Sequence, residues 1–161
     1  MLAPRSILFL FMLITFTCCK KEKCATSEIT NDYLVFGSFY GECFGEQCIE
    51  IYKLDNHHLY EDTRDMYPGS TQPYQGSYQK LHDSLYSQVQ HITMKVPAQL
   101  LQETGSVIGQ PDAGDWGGYY LETKQNGQVR FWLIDTKKEN LPSYLHPFVD
   151  ELAVKLVILN K

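Results

Sequence analysis

Three groupings in the sequence have the residue types and spacing to do chemistry. The first is the loop Gly109-Gln110-Pro111-Asp112-Ala113-Gly114-Asp115-Trp116-Gly117-Gly118, with two carboxylates among glycines. Paired carboxylates serve general acid–base work, and oxygen-rich loops hold Ca²⁺, which takes about six to eight oxygens. No third carboxylate follows at regular spacing, so the loop lacks the EF-hand pattern. Aspartates in such loops also accept backbone N–H groups in Asx-turns. Trp116 is either a platform for a ligand or a plug at the end of the core.

The second grouping is Cys43 and Cys48, which flank Phe44-Gly45-Glu46-Gln47. In an oxidising compartment they are expected to form a structural disulfide, with two free thiols and a redox or metal role as the alternatives. As a redox pair they would want Cys-x-x-Cys spacing at a helix N-terminus, which stabilises the thiolate. The third is His57-His58. Neighbours in a strand point to opposite faces, which prevents the two rings from sharing one ion. His82, His91 and His146 are scattered, and no Cys/His ligand cluster appears, so no metal and no cofactor is expected. There is no Gly-x-Ser-x-Gly elbow, phosphate-binding loop or dinucleotide fingerprint. Tyr60, Tyr67, Tyr74, Tyr78 and Tyr86 crowd the middle of the chain. Tyrosine-rich surfaces suit glycan or protein recognition, and half-buried tyrosines of strands and helices give the same pattern.

The chain that must position these groups has 161 residues, 43% hydrophobic and 20% charged, with net charge −5. One domain fits that length, and the acidic balance gives no footprint for nucleic acid. Its first 19 residues do not read as fold. Arg5 precedes the apolar run Ile7-Leu8-Phe9-Leu10-Phe11-Met12-Leu13-Ile14, too short to span a bilayer and suited to a signal peptide. The run ends in Phe16-Thr17-Cys18-Cys19, which resembles the lipobox of bacterial lipoproteins. Cys19 is the expected lipidated residue and Cys18 the alternative, because Cys18 would put polar Thr15 at the −3 position. The resemblance implies more than one acyl chain on that cysteine, as stable attachment requires. Residues 20–32 are polar and aperiodic and read as a flexible tether, with Cys24 a spectator.

Residues 33–161 then read as a single globular domain. Tyr33 to Tyr40 is aromatic and β-branched, and Cys48 to Leu54 alternates, with Ile49, Ile51 and Lys53 on one face and Glu50, Tyr52 and Leu54 on the other. A return strand follows at 58–62, then a Pro- and Gly-rich loop at 63–77. Leu81, Leu85, Val89 and Ile92 make a helical stripe, and Pro97 to Glu103 predicts a short second helix. Asn126-Gly127 between two apolar runs predicts a hairpin. Leu145, Phe148, Val149, Leu152 and Leu156 predict a closing helix with Pro147 near its start. The order βββ-αα-ββ-α predicts an α+β domain, a single antiparallel sheet of about five strands with helices packed on one face.

Gly109-x-Pro111-Asp112-x-x-Asp115-x-Gly117-Gly118-Tyr119-Tyr120-x-Glu122, with Tyr40-Gly41-Glu42-Cys43-x-Gly45-Glu46-x-Cys48, is similar to motifs of a family of uncharacterised Bacteroidetes-type lipoproteins. The resemblance runs over most of residues 33–159 and implies a lipid-anchored envelope protein, with no activity to carry over. Family members often have cysteines where this chain has Gln110 and Ala113, which speaks against a redox or metal role for that loop here.

The expectation is therefore a bacterial cell-envelope lipoprotein, attached to the membrane by its N-terminal lipid and facing the periplasm. Its domain would be a non-catalytic binding or accessory module whose partner is an envelope protein or a glycan. The alternatives are a small periplasmic hydrolase or metal-dependent enzyme using Asp112 and Asp115, and a thiol redox module at Cys43/Cys48.

Overall fold

A computed structural model describes residues 32–160. The signal segment, Cys18, Cys19, Cys24 and the tether up to residue 31 lie outside the described residues. The domain is α+β, with one open mixed sheet of seven strands and two α-helices. The strands are β1 (Tyr33–Phe39), β2 (Ile49–Leu54), β3 (Leu59–Asp62), β4 (Tyr78–Lys80), β5 (Val107–Ile108), β6 (Gly118–Gln125) and β7 (Gln128–Asp135). Their order across the sheet is β4-β3-β2-β1-β6-β7-β5. The helices are α1 (Asp83–Val89) and α2 (His146–Leu159).

This corrects the expected sheet of about five antiparallel strands. Two short edge strands are added, and β5 runs parallel to β7, pairing Val107 with Leu133 and Ile108 with Ile134. Neither edge strand has enough residues to show a period, which is why the sequence reads as loop there. The second helix is also corrected: Leu100–Gln102 is a single 3-10 turn.

The long central strands form where alternation is strongest. β1 pairs antiparallel with both β2 and β6, so Gly37 sits between Ile51 and Tyr120. A Cβ on Gly37 would lie 2.1 Å from the Glu50 carbonyl oxygen, so only glycine allows the two backbones this approach. At the β6–β7 hairpin Asn126 and Gly127 take φ of 51° and 80°, the positive values that a two-residue turn demands.

The pleat divides the sheet into two unlike faces. Leu34, Phe36, Tyr52, Leu54, Leu121, Trp132 and Ile134 pack against α1, α2 and the 3-10 segments, where Phe148, Val149, Leu152 and Leu156 fill the helix side. On the other face Val35, Phe39, Ile51, Tyr120 and Leu133 form a smaller core. It is flanked not by a helix but by the irregular segment 63–77, hereafter the strap, whose Tyr74 packs on it along with Tyr78 of β4. Both faces are therefore covered, the second by a chain without regular structure. Among the described residues no helix is long and apolar enough to cross a membrane.

Candidate functional site

The Asp112–Trp116 loop is built to hold itself. Asp112 and Asp115 take φ of 58° and 60°. The Asp112 amide donates to the Gly117 carbonyl (2.9 Å), and the Gly117 amide returns a bond to Asp112 Oδ1 (3.0 Å). The other oxygen, Oδ2, accepts from the Gly41 amide (2.7 Å) and the Tyr67 hydroxyl (3.0 Å). Burial and this carboxylate push the Tyr67 hydroxyl up to about 12. Asp112 thus joins three segments, the end of β1, the strap and its own loop. Asp115 is exposed and makes no hydrogen bond among the described residues.

Trp116 donates through Nε1 to Asp135 Oδ1 (3.0 Å), and the Lys137 ammonium stands 3.4 Å above its ring. Asp135 is fully buried and had drawn no notice as a site residue. It accepts from the Gln110 amide (2.8 Å), the Lys137 amide (2.8 Å) and Asn140 Nδ2 (2.7 Å) as well. Burial alone would raise its carboxyl; the four bonds outweigh that and hold it below the usual range.

The histidines do not join this loop. His57 and His58 follow β2 at the end of the sheet where β1 begins, whereas Gly41 and Asp112 lie where β1 finishes, about 20 Å away along seven residues of strand. Both histidine amides donate to Asp55 Oδ1, and their rings meet at 72° with centroids 6.2 Å apart. His82 caps α1 through Nδ1, and His146 Nε2 lies 3.2 Å from the Leu141 carbonyl. Among the described residues no group of three His, Cys, Asp or Glu side chains could hold a metal ion. Cys43 and Cys48 are joined as a disulfide, Cα–Cα 5.5 Å, at a 3-10 turn that leads into β2. That is not the helix N-terminus that a catalytic thiolate uses.

What sequence reasoning missed lies under the strap. Glu122 and Asp62 are each only 3% exposed. Tyr33 donates to Glu122 Oε1 (2.8 Å) and Tyr120 to Oε2 (2.5 Å), while the Tyr74 amide reaches Oε2 (3.2 Å) and the Tyr120 hydroxyl (2.8 Å). Asp62 accepts from the Tyr74 hydroxyl (2.6 Å) and from the amides of Arg64, Asp65 and Ser77. Burial, then these carboxylates, raise the hydroxyls of Tyr33, Tyr74 and Tyr120 well above the usual tyrosine range. Each therefore stays a neutral donor throughout the physiological range.

Beside this network opens a cleft of about 470 Å³ walled by Tyr33, Tyr74, Tyr78, Pro73 and Gly76. Glu122 lies in its wall and Lys53 reaches into it, the ammonium 4.5 Å from the centroid of the Tyr33 ring and 5.3 Å from that of Tyr78. Lys53 forms no ion pair among the described residues. Aromatic faces, a cation and fixed hydroxyls converge here as they do in recognition sites. A second groove, about 490 Å³, lies between α1 and the end of the sheet where residue 32 enters. The inward step of Lys53 was legible in the alternation of β2, but the cleft depends on Pro73 to Tyr78 folding back over it.

No protein-family model matches the chain, and no curated protein matches it.

Proposed function

We propose that this chain is a lipid-anchored cell-envelope lipoprotein of the Bacteroidetes type, facing the periplasm, whose domain binds a ligand without chemistry of its own. The observation that carries the binding reading is the cleft at Tyr33, Tyr74, Tyr78, Lys53 and Glu122. Its walls offer ring faces for sugar C–H groups, and its rim offers an ammonium for a hydroxyl or carboxylate. A glycan of the envelope is the ligand this chemistry suits. The anchor rests on the apolar run that ends at Cys18-Cys19.

The binding reading is tested by titrating the anchored chain in detergent with muropeptides and chitooligosaccharides while amide and tyrosine resonances are followed. Saturable shifts confined to the cleft, and lost in Lys53→Met and Tyr78→Ala, are expected; shifts that persist in both variants would sink it. The anchor is tested separately by metabolic labelling with an alkyne-tagged fatty acid. Label should disappear in the Cys18→Ser, Cys19→Ser double variant and survive in Cys18→Ser alone.

A hydrolase using Asp112 and Asp115 draws no support from the geometry, since both oxygens of Asp112 are bound by donors of the fold. A redox role for Cys43/Cys48 gains none from a pair placed at the start of a strand.

A further inference from the structure

Phe44 has a relative exposure of 102%, so nothing in the described domain packs against its ring. A phenylalanine in water forgoes about 1.5–3 kcal/mol that burial would supply. The loop that carries it is nevertheless held stiffly. The Cys43–Cys48 disulfide closes it, the Tyr40 amide bonds the Cys48 carbonyl (2.9 Å), and the Cys48 amide bonds the Gly45 carbonyl (3.2 Å). Cys48 itself is buried in the core of the strap face, so the pedestal is part of the fold while its tip stands out. Ordering the ring's backbone before any encounter lowers the entropic cost of association.

The surroundings are predominantly acidic; Arg64, next to Asp65, gives its guanidinium to the Gln75 carbonyl (3.0 Å). Glu46 lies in the loop and Glu42 immediately before it, and both are exposed. Glu46 is close enough to raise the carboxyls of Glu50, Glu61 and Asp65 further, beyond what their partial burial does first. No lysine or arginine among the described residues forms an ion pair with any of these five. Exposed Tyr40 and Tyr67 lie at the same end of the sheet, where the Tyr67 ring packs edge-on to Phe39.

We propose that the Cys43–Cys48 loop is a protein-docking knob, with Phe44 entering an apolar socket on a partner protein whose rim carries lysine or arginine opposite Glu42 and Glu46. A single rigid aromatic in a charged rim is the arrangement of an interface hot spot. Five unpaired carboxylates oppose approach to an anionic bilayer, and they oppose a second copy of the same surface. The knob lies at the end of β1 remote from residue 32, so it goes beyond the cleft reading and stands or falls without it.

The test places photo-reactive benzoylphenylalanine at Phe44 of the full chain in its native envelope, with Val154 on the exposed side of α2 as control position. Irradiation should give one discrete protein adduct, at least about tenfold stronger than from position 154. The cross-linked peptide should map to an apolar pocket with basic residues at its rim. The adduct should fall about tenfold in the Glu42→Lys, Glu46→Lys double variant. Raising salt from 50 to 500 mM on the unreversed chain should weaken it too, a check that holds even if the double variant folds poorly. An adduct with lipid, an adduct with a second copy, no adduct above the control, or one indifferent to salt would overturn the proposal.

Discussion

The two faces of the sheet are closed by different physics. Against the helices, burial is mainly apolar and non-directional: Phe36, Leu54, Leu121 and Trp132 meet Phe148, Leu152 and Leu156, and the carboxylates of Glu50 and Glu103 accept there only from the hydroxyls of Tyr52 and Tyr144. On the opposite face the cover has no helix or strand of its own, so its amides need acceptors from elsewhere. Asp62 takes three of them and Glu122 a fourth. Two buried side chains thus do for the strap what a hydrogen-bond ladder does for a strand. An irregular segment can cover a sheet if the sheet supplies acceptors at fixed points.

That contrast can be broken in either direction. The largest effect is expected from Phe148→Ala, which empties part of the helix-side core and should lower unfolding free energy by about 3–5 kcal/mol in urea denaturation. Glu122→Leu should cost about 2–3 kcal/mol, since the charge-assisted hydrogen bonds donated by Tyr33 and Tyr120 are lost and the fully buried Tyr120 hydroxyl is left without its acceptor. The readout that separates the two is hydrogen exchange. Glu122→Leu should speed exchange at the Tyr74 and Ser77 amides while α2 stays protected; equal acceleration in both would mean the faces are one cooperative unit. Reducing the Cys43–Cys48 disulfide, which closes only a short loop, should cost about 2 kcal/mol in the chain-entropy view, seen as a lower thermal midpoint.

The smallest effect is in pH and has two signs. Glu50, Glu61 and Asp65 have raised folded-state values, so the folded chain takes up protons before the unfolded one does. Stability should rise slightly as pH falls from 7 towards 5. Asp135 and Asp55 have lowered values despite their burial, so below about pH 4 the unfolded chain protonates first and stability falls. Urea midpoints at pH 7, 5 and 3 would show the maximum between. A monotonic decline from pH 7 would mean that the burial of Glu50, Glu61 and Asp65, and the carboxylates around them, do not raise their carboxyls in solution.

Where pattern is local, the sequence was legible. Alternation in Cys48 to Leu54 placed Ile51 and Lys53 on one face and Tyr52 and Leu54 on the other, as found, and the Leu145–Leu156 stripe became the buried side of α2. The disulfide was readable from the spacing of Cys43 and Cys48 together with an expected oxidising compartment. Asp112 was singled out as either an Asx-turn or a reactive carboxylate; it accepts backbone amides, as a turn residue does, but from Gly117 five residues on and from distant Gly41, so it closes its loop without forming an Asx-turn. The buried acceptors were not legible. Glu122 in Tyr-Tyr-Leu-Glu-Thr-Lys looks like an outward residue, because its partners Tyr33 and Tyr74 come from segments far away in sequence. Asp135 reads only as the last residue of an apolar strand until Gln110, Trp116 and Asn140 close around it. Cover that comes from an irregular segment leaves no period to read.

The sheet ends on one side in β4, three residues long, and on the other in β5, with two. Open flanks of a sheet present free amides and carbonyls that recruit strands from other molecules. The β4 flank offers only three residues, with a charge at Lys80. β5, by contrast, covers only Leu133 and Ile134 of β7 and leaves residues 128–132 of that strand without a strand partner on the outer side among the described residues, where Arg130 supplies the charge. For a domain held with its neighbours in the thin layer above a membrane, as proposed, collisions between copies are frequent and share one orientation. Brevity at the β4 rim, and a charged side chain at each rim, are then safeguards against aggregation in a crowded layer, obtained without closing the sheet into a barrel.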